Sequence, residues 1–96
     1  MIFRRRKKPG LCPELTDVPA EPMPEGGCIE CLAMGDTWVH LRYCVTCKET
    51  RCCDSSKNKH ASKHAAADSH PVVRSKEPGE TWAWCYPHEA MTDLAS

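Results

Sequence analysis

The stretch RCCDSSKNKHASKHAAADSHP, Arg51–Pro71, sets two adjacent cysteines ahead of three histidines, His60, His64 and His70. A disulfide staple, a metal cage and a nucleophile with its base all use these residue types. Asp54, Ser55 and Ser56 offer N-cap oxygens, and the Ala- and Lys-rich run behind them predicts a helix over about 57–68. Pro71 disfavours the α region at His70, so the helix ends before it. The decision about the fold turns on what the cysteines and histidines around this helix hold.

Composition narrows the choice. The chain has 96 residues, with one Phe and eight Pro. Chains of this size bury too little apolar surface to offset their conformational entropy comfortably, and often need staples. Eight Cys and five His are available for that work. The N-terminal MIFRRRKKPG has neither the apolar run of ~7–15 residues that a signal peptide requires nor the ~20 of a membrane span. A cytoplasmic location is therefore expected, where thiols stay reduced and clustered cysteines hold metal more often than disulfides. Zinc is the metal these donors favour.

Charge is neutral in total but uneven. Arg4 to Lys8 carry +5, so the remainder carries −5. Residues 1–10 read as a basic flexible tail, 11–92 as the domain and 93–96 as a second tail. A basic arm can contact nucleic acid or an anionic surface, but the acidic body argues against a nucleic-acid-binding core.

Within the domain, LCPELTDVPAEPMPEGG (Leu11–Gly27) holds one short helical turn after Cys12, then a Pro/Gly-rich connector. TWVHLRY (Thr37–Tyr43) alternates as a half-buried strand, with Val39, Leu41 and Tyr43 on one face and Trp38, His40 and Arg42 on the other. PVVRSK is a further strand, and EPGE suits a type II turn on Pro78 and Gly79. TWAWCY puts Trp82, Trp84 and Tyr86 on one face and Ala83 and Cys85 on the other. The expected fold class is α+β: a small zinc-stabilised domain with a short antiparallel twisted sheet, one main helix and a short N-terminal helical turn.

Two C-x-x-C pairs, Cys28/Cys31 and Cys44/Cys47, each let two thiolates converge on one ion, and two more donors complete a zinc tetrahedron. The remaining donors come from Cys52, Cys53, His60, His64 and His70. Spacing alone puts His60 and His64 on one ion, because i and i+4 share a helix face.

The pieces CIEC, CVTC, RCC, HASKHAAADSHP and WCY follow one another in the order, and near the spacing, of a known family. The run from Cys28 to Tyr86 resembles the UBP-type zinc finger, the ubiquitin-binding module of ubiquitin-specific proteases and of a cytoplasmic histone deacetylase. Its wording around GDTWVHLRYC, CCDSS and EPGETWAWCY is similar to the bacterial branch. The resemblance implies interleaved sites: Cys28, Cys31, Cys52 and His60 on one zinc, and Cys44, Cys47, His64 and His70 on another. Either Cys52 or Cys53 satisfies the spacing, and the family's gap after Cys47 favours Cys52. Some members carry a third site built from Cys-x-His and Cys-x-x-Cys. Here those places read Cys12-Pro13-Glu14 and Cys85-Tyr86-Pro87-His88, which implies a third set of Cys12, Glu14, Cys85 and His88. His40 reads as a surface residue.

In the family, aromatics and an arginine wall a pocket for the free C-terminal Gly-Gly of ubiquitin. Trp84 and Tyr86 match the pocket aromatics, with Trp38 and Arg42 as further candidates and Trp82 as a packing residue. The Arg-Tyr that usually follows the ligand cysteine is replaced by CCDSS, and a carboxylate at Asp54 repels a terminal carboxylate. Free ubiquitin is therefore expected to bind weakly or not at all. The leading expectation is a monomeric, non-catalytic binding module for a peptide terminus or flexible protein segment. The alternative is a nucleic-acid contact protein using the basic arm. A zinc hydrolase or thiol enzyme ranks last, because four protein donors per zinc leave no open position for water.

Overall fold

The computed structural model describes residues 12–94, so the basic Arg4–Lys8 arm lies outside the described residues. Cys12 leads into a 3-10 turn at Pro13–Leu15, where the chain was expected to make one helical turn. Two short helices follow, α1 (Ile29–Met34) and α2 (His60–Asp68), and five strands, β1 (Leu41–Cys44), β2 (Thr50–Cys52), β3 (Val72–Ser75), β4 (Trp82–Cys85) and β5 (Ala90–Asp93). The strands form one sheet in the order β2-β1-β3-β4-β5, antiparallel throughout. Both helices pack on its β2 edge, while the N-terminal turn packs on β4.

The cysteines shape the local backbone. Cys28 caps α1 with its sulfur, which accepts the backbone N–H of Cys31 at 3.3 Å, and Gly35 ends the helix at φ 72°. In the β1–β2 hairpin the sulfur of Cys44 accepts the N–H of Cys47 at 3.5 Å. Lys48 turns that loop at φ 63° and donates its N–H to the Cys44 carbonyl at 2.8 Å. Each C-x-x-C pair is thus a tight turn that aims two sulfurs the same way.

Helix α2 begins at His60, three residues later than the cap oxygens of Asp54, Ser55 and Ser56 suggest. The group that receives the His60 N–H is the sulfur of Cys52, at 3.2 Å. Segment 53–59 is used instead to swing His60 back over the end of β2. Asn58 braces this segment by donating to Asp36 Oδ2 at 3.0 Å. That bond, with the Thr37 N–H and Lys57, holds the Asp36 carboxyl down at about 2. The helix ends in left-handed Ser69 (φ 56°), and the N–H of His70 closes on the Ala65 carbonyl at 3.2 Å.

Alternation in β4 is as expected: Ala83 and Cys85 are buried, and Trp82 and Trp84 are half-buried on the other face. The turn before it has Gly79 at φ 81° with the Glu80 N–H on the Glu77 carbonyl, as a type II turn requires. The core is divided. One cluster joins Cys12, Leu15, Val72, Ala83 and Cys85; the other joins Cys28, Cys31 and Cys52, with Trp38 and Leu41 packed against it. Cysteines make up much of both.

Gly27 shows how tightly the second cluster is closed. A Cβ there would lie 2.4 Å from Cη2 and from Cζ2 of Trp38, well inside contact distance. Gly27→Ala must push the indole off the Cys28/Cys31/Cys52 cluster. The expected cost is about 1–3 kcal/mol, the usual range for overpacking. A denaturant midpoint equal to that of the unsubstituted protein would contradict it.

Candidate functional site

Three groups of donor side chains converge, one at each point where helix, hairpin or turn meets the sheet: Cys28, Cys31, Cys52 and His60; Cys44, Cys47, His64 and His70; and Cys12, Glu14, Cys85 and His88. Within each group the donor atoms lie within 4.8 Å of one another.

The distances suit zinc. Zn–S of about 2.3 Å and Zn–N of about 2.0–2.1 Å imply tetrahedral edges of roughly 3.5 Å between S and N and roughly 3.8 Å between sulfurs. In the first group His60 Nδ1 lies 3.3, 3.4 and 3.6 Å from the sulfurs of Cys28, Cys31 and Cys52, and the Cys31 and Cys52 sulfurs are 3.9 Å apart. In the second, Cys47 Sγ is 3.5 Å from His64 Nε2, Cys44 Sγ is 3.6 Å from His70 Nδ1, and the two imidazole nitrogens are 3.0 Å apart.

Burial supports the same chemistry. It pushes the Cys31 thiol up to about 11, so a bare cluster would hold protonated thiols at neutral pH. A dication reverses that preference and holds the thiolates. Burial, and then the charge of Arg51, lower His64, which keeps its imidazole neutral as a ligand must be.

The outer contacts are equally ordered. His64 turns Nε2 toward the sulfurs and presents Nδ1 to Asp68 Oδ2 at 3.1 Å, one helical turn on. A carboxylate on the far nitrogen fixes the tautomer and orientation of a metal-binding histidine. Buried Arg51 joins the first two groups. Its Nε donates to Glu30 Oε2 at 2.6 Å, Nη2 to Glu49 Oε1 at 3.1 Å and Nη1 to Cys47 Sγ at 3.5 Å, while Glu30 also faces His60 Nε2 at 3.8 Å. Burial alone would lower Arg51, but Glu30 and Cys47 outweigh it and raise its pKa.

The third group is more open. Cys12 and Cys85 are buried, but the side chains of Glu14 and His88 are 38% and 46% exposed. His88 Nδ1 lies 2.9 Å from Cys12 Sγ, 3.4 Å from Cys85 Sγ and 3.1 Å from Glu14 Oε1. The set ties the N-terminal turn to the β4–β5 turn.

Cys53, one residue past the end of β2, lies outside the donor group that Cys52 joins. Its sulfur lies 3.6 Å from Ser56 Oγ and lines a surface concavity of about 350 Å³. Trp82, Trp84 and Tyr86 form one wall of that concavity, with Arg42, Asp54 and Glu89 around it. The Arg42 guanidinium sits 4.6 Å from the centroid of Trp82. Burial, and then the Asp54 charge, push the Tyr86 hydroxyl up to about 12, so it stays a donor. Trp38 does not join this wall; it packs against Gly27 and the first donor group. Trp82 does join it, because its strand face is the face of Trp84. His40 lies in none of the three donor groups and only lends its carbonyl to the Cys53 N–H.

Residues 28–95 match the family described as the Zn-finger in ubiquitin-hydrolases and other proteins. The solution NMR structure of a Rhodopseudomonas palustris protein is similar: it is 43% identical, with a TM-score of 0.75, over 86% of this chain and 81% of that one. No curated protein sequence matches significantly.

Two cysteine substitutions separate neighbours one residue apart. Cys52→Ser is expected to remove one zinc and unfold the domain, since it leaves three donors and uncaps α2. Cys53→Ser should retain full zinc content and a dispersed amide spectrum. Native mass spectrometry and NMR read both, and zinc loss in the Cys53 variant instead of the Cys52 variant would reverse the assignment.

Proposed function

Since the chain belongs to the family of Zn-fingers in ubiquitin-hydrolases and other proteins, we propose that it is a non-catalytic interaction module whose aromatic concavity receives a flexible protein segment or peptide end. It is a zinc-binding finger of the UBP type, and the three donor groups fit zinc in number and spacing. Cys28, Cys31, Cys52 and His60 hold one ion, Cys44, Cys47, His64 and His70 a second, and Cys12, Glu14, Cys85 and His88 a third. Bound zinc supplies cross-links between elements, not an activated water, because four protein donors fill each tetrahedron.

The observation that carries the binding role is the half-exposed row of Trp82, Trp84 and Tyr86 on a domain in which half of the buried apolar residues are cysteines. Partly exposed aromatics beside a cation are the usual composition of a recognition surface. A second concavity of about 230 Å³, formed by Ser62, Ala65, Ala66 and Pro87, adjoins the first across Tyr86. The two together suit an extended chain that passes over the tyrosine ring. Among the described residues no helix is long and apolar enough to cross a membrane.

Free ubiquitin should bind weakly or undetectably, because Asp54 and Ser55 stand where the family's carboxylate reader is expected. Trp84→Ala tests the wall itself. As a binding residue, its loss leaves zinc content and the denaturation midpoint nearly unchanged and abolishes shifts at Trp82 and Tyr86 on titration with short unstructured peptides. A core tryptophan would instead destabilise the domain by roughly 3–5 kcal/mol on truncation. That outcome, or tight ubiquitin binding that needs the terminal Gly-Gly, would overturn the proposal.

A further inference from the structure

The charges around the aromatic wall say which segment it takes, and this deepening rests on the binding role proposed above. Two carboxylates, Asp54 and Glu89, and one guanidinium, Arg42, line the concavity. The guanidinium is already engaged: it lies over Trp82 at 4.6 Å and donates to the Leu41 carbonyl at 2.9 Å. Asp54 Oδ1 accepts the hydroxyl of Ser62 at 2.6 Å, which fixes the carboxylate against α2 at the boundary of the two concavities. Among the described residues, no cation pairs with Asp54 or Glu89.

We infer that the concavity selects a lysine or arginine side chain, carried by an extended segment of a protein partner, over a free terminal carboxylate. Trp82 already shows the mode, since Arg42 lies over its ring. Trp84 and Tyr86 continue the same strand face at a spacing of roughly 6.6 Å per two residues, and their rings attract a second cation in the same way. Asp54 and Glu89 then supply the opposite charge at the rim. A terminal carboxylate in this place meets two like charges against one guanidinium, which Trp82 and the Leu41 carbonyl already hold, and the net repulsion works against it. The residue after the cation crosses Tyr86 onto the small side chains Ala65 and Ala66, where only a slim neighbour fits.

The test titrates the zinc-loaded, isotope-labelled protein with three pentapeptides. One is N-acetylated, C-amidated Gly-Gly-Lys-Gly-Gly; one carries norleucine in place of lysine; one is N-acetylated pentaglycine with a free carboxylate. The lysine peptide should shift the indole signals of Trp82 and Trp84, and bind at least about tenfold more tightly than either other peptide, with an affinity that falls as salt is added. Asp54→Asn should lower the lysine affinity severalfold with zinc content unchanged. Equal or tighter binding of the carboxylate peptide overturns the cation selectivity but leaves the aromatic wall as a binding site. Equal binding of the norleucine peptide, or an indifferent Asp54→Asn, also overturns it. Absence of indole shifts with all three peptides removes the binding role together with the selectivity.

Discussion

Helix α2 carries His60 and His64 one turn apart, and everything else in the domain is arranged so that they enter different donor groups. Side chains at i and i+4 have Cβ atoms only about 5–6 Å apart. A single ion could take both, as their shared face suggests. Instead His60 meets the sulfurs of α1 and the end of β2, while His64 meets the β1–β2 hairpin and His70. One nine-residue helix with little apolar surface is thereby fixed at both ends to separate parts of the chain. Its two histidines, in place of the apolar stripe that a longer helix would bury, join it to the rest of the domain.

The electrostatics follow from that arrangement. Two donor groups with five cysteine sulfurs between them sit around a buried arginine, which receives Glu30 and Glu49 as well as the Cys47 sulfur. Glu30 in turn faces the outer nitrogen of His60. The Arg51–Glu30 pair is thus the one direct polar path between the two centres among the described residues. Removing Glu30 would strip the buried Arg51 of its shortest ion pair and leave it only Glu49 and the Cys47 sulfur, a costly change for a buried guanidinium. The third centre is not among the groups that Arg51 joins. It draws Cys12 down onto the sheet and sets the turn from Tyr86 to Glu89, so it also shapes one end of the aromatic wall.

Much of this was legible in the residues. The paired C-x-x-C spacing, the Pro–Gly turn and the alternation of TWAWCY each have a short-range physical cause, and each appears as read. The misses share another cause. Helix α1 is six residues long and capped by a cysteine sulfur, which propensity does not count as a cap. Strand β2 is three residues, all buried, so it shows no alternation. Strand β5 forms only because β4 offers it an edge. Helix α2 starts late because the Cys52 sulfur, not the Asp54 side chain, takes its first N–H. Trp38 follows the close approach of Gly27 to the first donor group, which no local pattern records. The split of His60 from His64 came from the family resemblance, because helix periodicity alone pairs them.

The interleaving of the two centres is therefore the central claim. It is read most directly in the cadmium-substituted protein by heteronuclear correlation between cadmium and the histidine ring protons. Two distinct cadmium signals are predicted for these centres. His60 should couple to the one that also couples to the β protons of Cys28, Cys31 and Cys52, and His64 and His70 to the one that couples to Cys44 and Cys47. Coupling of His60 and His64 to the same cadmium would contradict the account.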